Sequence, residues 1–256
     1  MDCNGQRISL STTPLDCASD GRHIVAEPAV DYSGCRECRG SGWVYRDGDD
    51  GYEYVRPCGW GILKASVRLI NQAKLPGAYA SSSIADFNSP AIRPSLKPAG
   101  EWLRGNPSTG GLWIYGGVGI GKTHLAVALA KAAATLGVAP MWVDGPGLLK
   151  SARASFNKDS DPLGDASEAQ LLIIDDVDKL RSTDWVDEQI WLLLKSRCER
   201  NMATIVTANV RASEWCSTLK FGHPLLSRIK QSWQAVSLPG PDRRLEESDG
   251  RVRVCP

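Results

Sequence analysis

An α/β fold, with a parallel sheet held between helices, is predicted for this chain of 256 residues by three stretches. The first is Gly116-Gly-Val-Gly-Ile-Gly-Lys-Thr123, set between an apolar strand, Gly111–Tyr115, and a helix beginning at Lys122. It fits G-x-x-x-x-G-K-[ST] with no mismatch. The second is Leu171-Leu-Ile-Ile-Asp175-Asp176, an unbroken apolar run closed by two carboxylates, as in a strand buried on both faces of a parallel sheet. The third is the buried strand Ala203–Thr207, which ends in Ala208-Asn209. Open α/β sheets gather ligands at the carboxyl ends of their strands, where all three stretches carry polar residues.

The loop's chemistry follows from its residue types. Gly116, Gly119 and Gly121 let the backbone curl so that successive N–H groups of Gly116, Gly117, Val118, Gly119, Ile120, Gly121, Lys122, Thr123 and His124 face a nucleotide's phosphates. Lys122 supplies a point charge near the β and γ oxygens, and the Thr123 hydroxyl can ligate Mg²⁺. The positive end of the following helix faces the same anion, and Leu125, Leu129, Ala132 and Leu136 give that helix one apolar face. Two acids at a buried strand's end are costly unless they work. Asp175 is therefore expected to hold Mg²⁺, directly or through water, and Asp176 to orient and polarise the attacking water. The competing reading of the pair is a helix N-cap. Asn209, ending a neighbouring strand, could bond the γ-phosphate or the water.

Bulk properties exclude some partners. A formal net charge of +1 and a pI near 7.5 give no global drive toward nucleic acid or an acidic membrane. A DNA contact would need a local patch, for which Lys150, Arg153 and Lys158 are candidates beside the plainer reading of a solvated helix face. No apolar run is long enough to span a bilayer, and the N-terminus lacks the basic-then-apolar order of a signal peptide, so a cytoplasmic protein is expected. In that setting the eight cysteines read as thiols or metal ligands.

Taken in order, residues 1–30 are polar and aperiodic and are expected to form a flexible leader. Residues 31–75 read as a small zinc-ribbon-like hairpin plus helix: a Cys35-x-x-Cys38 knuckle, a strand, a turn, a returning strand and Cys58. Trp60 and Gly61 stand where a fourth cysteine would fall. Cys17, Cys3 or His23 could complete a zinc site, or a metal-free hairpin could keep the ribbon shape. A helix is predicted over Ile62–Ala73, a linker near 74–90 and a short helix around Glu101–Gly105. Past the loop helix come a strand at Ala139–Val143 and a helix at Leu148–Phe156, then a polar surface connection over Asn157–Gln170. Helices at Thr183–Arg200 and near Ser213–Leu219, and a final stretch Trp233–Leu238, complete an ATPase domain over 76–245. A disordered tail is expected over 246–256.

Together these motifs resemble the DnaC/DnaI-type helicase loaders and their IstB-like relatives among the AAA+ ATPases, across roughly residues 33–245. The matching pieces are the phosphate loop with His-Leu-Ala, Leu-Leu-Ile-Ile-Asp-Asp, Thr-Ile-Val-Thr-Ala-Asn209, Leu-Leu-Ser-Arg228-Ile and Gly-x-Asp-x-Arg244. The resemblance implies an AAA+ P-loop core without a C-terminal helical lid, ATP with Mg²⁺, and weak hydrolysis stimulated by assembly or DNA. It makes Asn209 the sensor-1 residue and Arg228 an arginine finger reaching the neighbouring subunit's site, so that catalysis rests on Lys122, Asp176, Asn209 and Arg228. It further implies single-stranded DNA binding, self-association through the ATP site, no membrane, and an N-terminal module that holds a hexameric replicative helicase. Asp178 departs from the pattern, standing where many relatives carry Gly. Two other classes share the core motifs: an IstB-like transposition helper acting on duplex DNA, and an adaptor that uses ATP as a switch without turnover.

Overall fold

The computed structural model describes residues 15–28, 38–39, 41–47, 52–155 and 160–243. The chain divides into two units, Met1–Ser81 with Ala130–Pro140, and Ser82–Leu129 with Met141–Pro256.

In the first unit, β1 (Leu15–Ser19) and β2 (Ile24–Pro28) form one antiparallel hairpin, and β3 (Trp43–Asp47) and β4 (Glu53–Pro57) another. Helix α1 runs Gly59–Gln72. The β1–β2 hairpin corrects the expectation of an unstructured leader over its later part. Ile24 and Ala26 alternate into the interior, and Asn71 on α1 clamps β2, accepting from Ala26 N at 2.7 Å and donating to Ala26 O at 3.1 Å. Those partners lie far along the chain, so local polarity misleads. Residues 1–14 lie outside the described residues.

The second unit is built on a five-stranded sheet of order β6-β7-β8-β5-β9. In chain order the remaining elements are α2 (Lys97–Arg104), β5 (Gly111–Tyr115), α3 (Lys122–Thr135), β6 (Pro140–Asp144), α4 (Gly145–Ala154), α5 (Pro162–Glu168), β7 (Leu171–Asp175), α6 (Asp184–Glu199), β8 (Ala203–Ala208), α7 (Ala212–Ser217), α8 (Gly222–Ser232) and β9 (Trp233–Ser237). Strand β5 pairs in parallel with β8 and β9, and β7 pairs in parallel with β8. Both faces are buried, as the apolar runs require. Trp113, Leu172, Ile174, Val206 and Ala208 pack on one side with residues of α4 to α8. Their alternates Leu112, Ile114, Leu171, Ile173 and Ile205 are fully buried on the other.

Helix starts follow their caps. Asp144 accepts from Gly147 N, Asp161 from Gly164 N and Thr183 from Val186 N. Two of these caps move elements away from expectation. Asp144 starts α4 three residues ahead of Leu148, and Asp161 nucleates α5 inside the stretch that reads as a surface connection. Helix α3 has no single apolar stripe. Ala126, Val127, Ala128, Ala130, Ala133 and Ala134 are all buried with Leu125 and Leu129, whereas Leu136 lies beyond its end and is exposed.

Candidate nucleotide site

Strand parity brings the site together. Asp175 ends β7 one residue past the pair Ile174–Val206 and bonds Thr207 on β8, on the sheet face opposite Ile174 and Val206. There Thr123, on the first turn of α3, donates to Asp175 Oδ1 at 3.0 Å and Oδ2 at 3.2 Å. Thr207 Oγ1 donates to Asp175 Oδ1 at 2.5 Å and accepts from Asp176 N at 2.9 Å. Sequence reasoning assigns Thr207 no role. The available signal is a hydroxyl, fully buried in the structure, in the penultimate place of an apolar strand, where it must find a partner.

The loop glycines take the backbone that their positions predict. Gly116, Gly119 and Gly121 have φ of 149°, 70° and 101°, in the left-handed region that side chains avoid. Lys122 is 7% exposed. Its Nζ donates to Gly116 O at 3.1 Å, Gly117 O at 2.7 Å and Asn209 Oδ1 at 2.8 Å, so its three donors have three acceptors. Burial pulls the ammonium below the usual lysine range, and the carboxylates of Asp176, Asp178 and Asp175 oppose that shift. Burial also pushes the Asp175 carboxyl above its usual range, against the hydrogen bonds from Thr207 and Thr123. A carboxylate that accepts from two threonine hydroxyls, one of them in the loop helix's first turn, is an oxygen donor set that a divalent cation suits.

Asp176 turns the chain off β7 in a left-handed conformation, φ 55° and ψ 46°. Its Oδ2 pairs with Lys179 Nζ, which raises the lysine's pKa. Asn209 Nδ2 donates to Asp178 Oδ2 at 2.7 Å. His124 Nε2 lies 2.6 Å from Asp86 Oδ2, with its ring edge-on to Phe87. Val118 is exposed and Ile120 buried at the loop's tip.

Other candidates fall elsewhere. Arg228, on α8, lies over the Trp191 ring at 5.0 Å and donates to Glu199 Oε1 at 3.3 Å and Pro224 O at 3.2 Å. Of the DNA-patch candidates, Lys150 is exposed and Arg153 stacks on Trp185 at 4.5 Å, while Lys158 lies outside the described residues. Cys38 and Cys58 are buried in one cluster with Val44, Trp60 and Leu63. Cys58 caps α1, its sulfur accepting from Gly61 N at 3.4 Å. A Cβ on Gly61 would stand 2.1 Å from Gly42 O, so no cysteine fits there, and Trp60 fills the cluster instead. Among the described residues no three His, Cys, Asp or Glu are grouped to hold a metal. Cys3 and Cys35, like Arg244 and the expected tail, lie outside the described residues, so the zinc expectation gains no support.

Among the described residues no helix is long and apolar enough to cross a membrane. Comparison with solved structures shows the fold. A crystal structure of the DnaC helicase loader aligns with TM-score 0.57 at 23% identity, covering 63% of this chain and 99% of that one. A DnaI crystal structure gives 0.56 at 23%, covering 66% and 94%. The replication initiator DnaA, bound to AMPPCP and single-stranded DNA, gives 0.54 at 18%, covering 68% and 57%. These neighbours share the α/β fold built on the five-stranded sheet. In sequence, the replicative helicase loader DnaI of Bacillus subtilis (strain 168) is 26% identical over 135 residues, half of this chain. The match spans 43% of that relative's length. The description of the IstB-like ATP binding proteins matches residues 107–249, and with that match covering more than half its length, the chain belongs to the IstB-like ATP-binding family.

Proposed function

We propose that this protein is an ATP-dependent loader of a replicative helicase, of the DnaC/DnaI type. The observation that carries the reading is the convergence of Lys122, Thr123, Asp175 and Asn209 on one glycine-rich loop at the sheet's carboxyl edge. Residues 116–124 bind the triphosphate through backbone N–H groups, and the domain over 76–245 does the ATP-dependent work. Lys122 leaves the Gly116 and Gly117 carbonyls for the β and γ oxygens. Thr123 and Asp175 would hold Mg²⁺, which when bound neutralises charge on the β and γ oxygens. Asp176 orients a water for in-line attack on the γ-phosphorus. The bond to the leaving ADP oxygen breaks as the new P–O bond forms, and the water's proton passes to solvent or phosphate. Asn209 bonds the γ-phosphate or that water. Arg228 leaves Glu199 and Trp191 on assembly and reaches the neighbouring subunit's site, making turnover depend on self-association. The 31–75 module holds a hexameric helicase, single-stranded DNA lies along the assembled core, and zinc at Cys35, Cys38 and Cys58 belongs to this reading only as a stabiliser of that module.

Two observations favour neighbouring readings. The family match itself suits a transposition helper acting on duplex DNA. The Asp176–Lys179 pair, which engages the shorter acid, suits a switch with little turnover. One experiment separates all three: phosphate release by the unaltered protein, Lys122→Ala and Arg228→Ala, with single-stranded or duplex DNA, alongside affinity capture and metal analysis. The loader reading expects stimulation by single-stranded DNA, capture of a hexameric helicase, and at least tenfold loss in both variants. Duplex stimulation with capture of a transposase would replace it by the transposition helper, and ATP binding without turnover by the switch. Unchanged release by Arg228→Ala would remove the trans-acting finger.

A further inference from the structure

The side-chain amide of Asn209 is gripped at both ends. Its Oδ1 accepts from Lys122 Nζ at 2.8 Å, and its Nδ2 donates to Asp178 Oδ2 at 2.7 Å. An ammonium can only donate and an ionised carboxylate can only accept, so these two neighbours leave the amide one orientation. Asp178 lies in the 3₁₀ turn Val177–Lys179, directly after the left-handed Asp176 that carries the chain off β7. The turn is anchored by the buried Val177, so the carboxylate is delivered by rigid backbone. Its other oxygen, Oδ1, is buried and has no hydrogen-bond partner among the described residues. A fold retains such an unmet acceptor at a cost, and here the carboxylate's hydrogen bond reaches a residue of the nucleotide site.

We propose that Asp178 is a positioning residue: by holding the N–H edge of Asn209 it keeps the amide oxygen facing Lys122, and so sets how strongly the site prefers ATP to ADP. The inference rests on the nucleotide reading above. Two of the three acceptors that aim the Lys122 ammonium are loop carbonyls, which a bound phosphate displaces. The third is the Asn209 oxygen, which stays beside the ammonium when it turns to the γ oxygens. Without Asp178 the amide keeps only its contact with the ammonium, and its unanchored N–H edge is free to swing the oxygen away from Lys122. The ammonium then loses its aim at the third phosphate. Contacts to the β-phosphate come from the loop's backbone N–H groups, so ADP is held as before.

The test is a double-mutant cycle read in the ratio of ADP to ATP dissociation constants, measured by displacement of a fluorescent nucleotide analogue from the full chain. Asp178→Ala is expected to lower the preference for ATP about tenfold, as befits one charge-assisted hydrogen bond. Asn209→Ala should lower it similarly, and the double variant no further. Asp178→Asn, which keeps an acceptor oxygen, should recover most of the preference, and it covers the case in which Asp178→Ala fails to fold. The side-chain amide ¹⁵N resonance of Asn209 should move in Asp178→Ala and stay close to its native position in Asp178→Asn. Additive losses in the double variant, or an unchanged preference in Asp178→Ala, would overturn the inference while leaving the nucleotide site standing. Absence of ATP binding by the unaltered chain would remove both.

Discussion

A single threonine hydroxyl joins the two acids of the site. Thr207 donates to Asp175 and receives the Asp176 N–H, so it fixes both the carboxylate meant for the metal and the turn that aims its neighbour. Thr207→Val keeps shape and volume but leaves the half-buried Asp176 N–H without its acceptor. The expected cost is about 1–3 kcal/mol of stability, read as a lower Tm, together with weaker Mg²⁺ dependence of nucleotide binding in a metal titration. The residues around it differ in how far the sequence exposes them. The loop glycines, Lys122, Thr123 and Asp175 are legible because their spacing is local and their chemistry is particular to holding phosphate and a cation. Thr207 and Asp178 are not, because each matters through a partner on another strand or turn, tens of residues distant.

Among the elements, α5 depends on a residue far from it. Arg197 on α6 is fully buried, and its Nη1 reaches the carbonyls of Ala166, Ser167 and Ala169 at 2.9, 3.0 and 2.9 Å, closing the end of α5. The same guanidinium bonds Thr204 Oγ1 at 2.9 Å and the Ala203 carbonyl, so it ties α5 and α6 to β8. Burial, with Arg200 nearby, lowers its pKa to about 10, which still leaves it charged at neutral pH. Arg197→Met fills the volume and strands those carbonyls. A loss of about 3 kcal/mol or more is expected in denaturant unfolding, with α5 becoming the first segment to exchange its amides. The seven residues of α5 read as a polar connection because a short helix of low apolarity has little periodicity to show. Its Asp161 cap is visible in the sequence, but its Arg197 clamp is not. The β1–β2 hairpin escapes a sequence reading for the same reason, since Asn71 clamps its second strand at Ala26 from α1.

For the molecule as a whole, burial sets an alkaline limit. The Cys216 thiol, 1% exposed against the core, is pushed up from 9.0 to about 12 by desolvation. In the unfolded chain it ionises near 9.0, whereas in the fold it stays protonated until about 12. This contribution to stability is therefore complete below pH 9.0 and declines as the pH rises toward 12. Cys216 should resist alkylation at pH 8 and react only as the fold opens. Denaturant midpoints should fall above pH 9.0, and fall less in Cys216→Ala once its own cavity cost is subtracted. Fold class is the most legible property at this scale, because three apolar strands with polar carboxyl ends leave few other arrangements. The order of strands is not, since pairing between β5 and β9 has no local signature.

That pairing has a consequence for biosynthesis. Strand β5 carries the nucleotide loop, yet both of its hydrogen-bonded neighbours, β8 and β9, are translated after β6 and β7. While the ribosome is still reading the intervening residues, the loop's supporting strand has two open edges and nothing to hold its curvature. Competence to grip a phosphate is thus acquired last. Nascent chains arrested before Trp233 clears the exit tunnel should not be retained on immobilised nucleotide, while those arrested well beyond Ser237 should be.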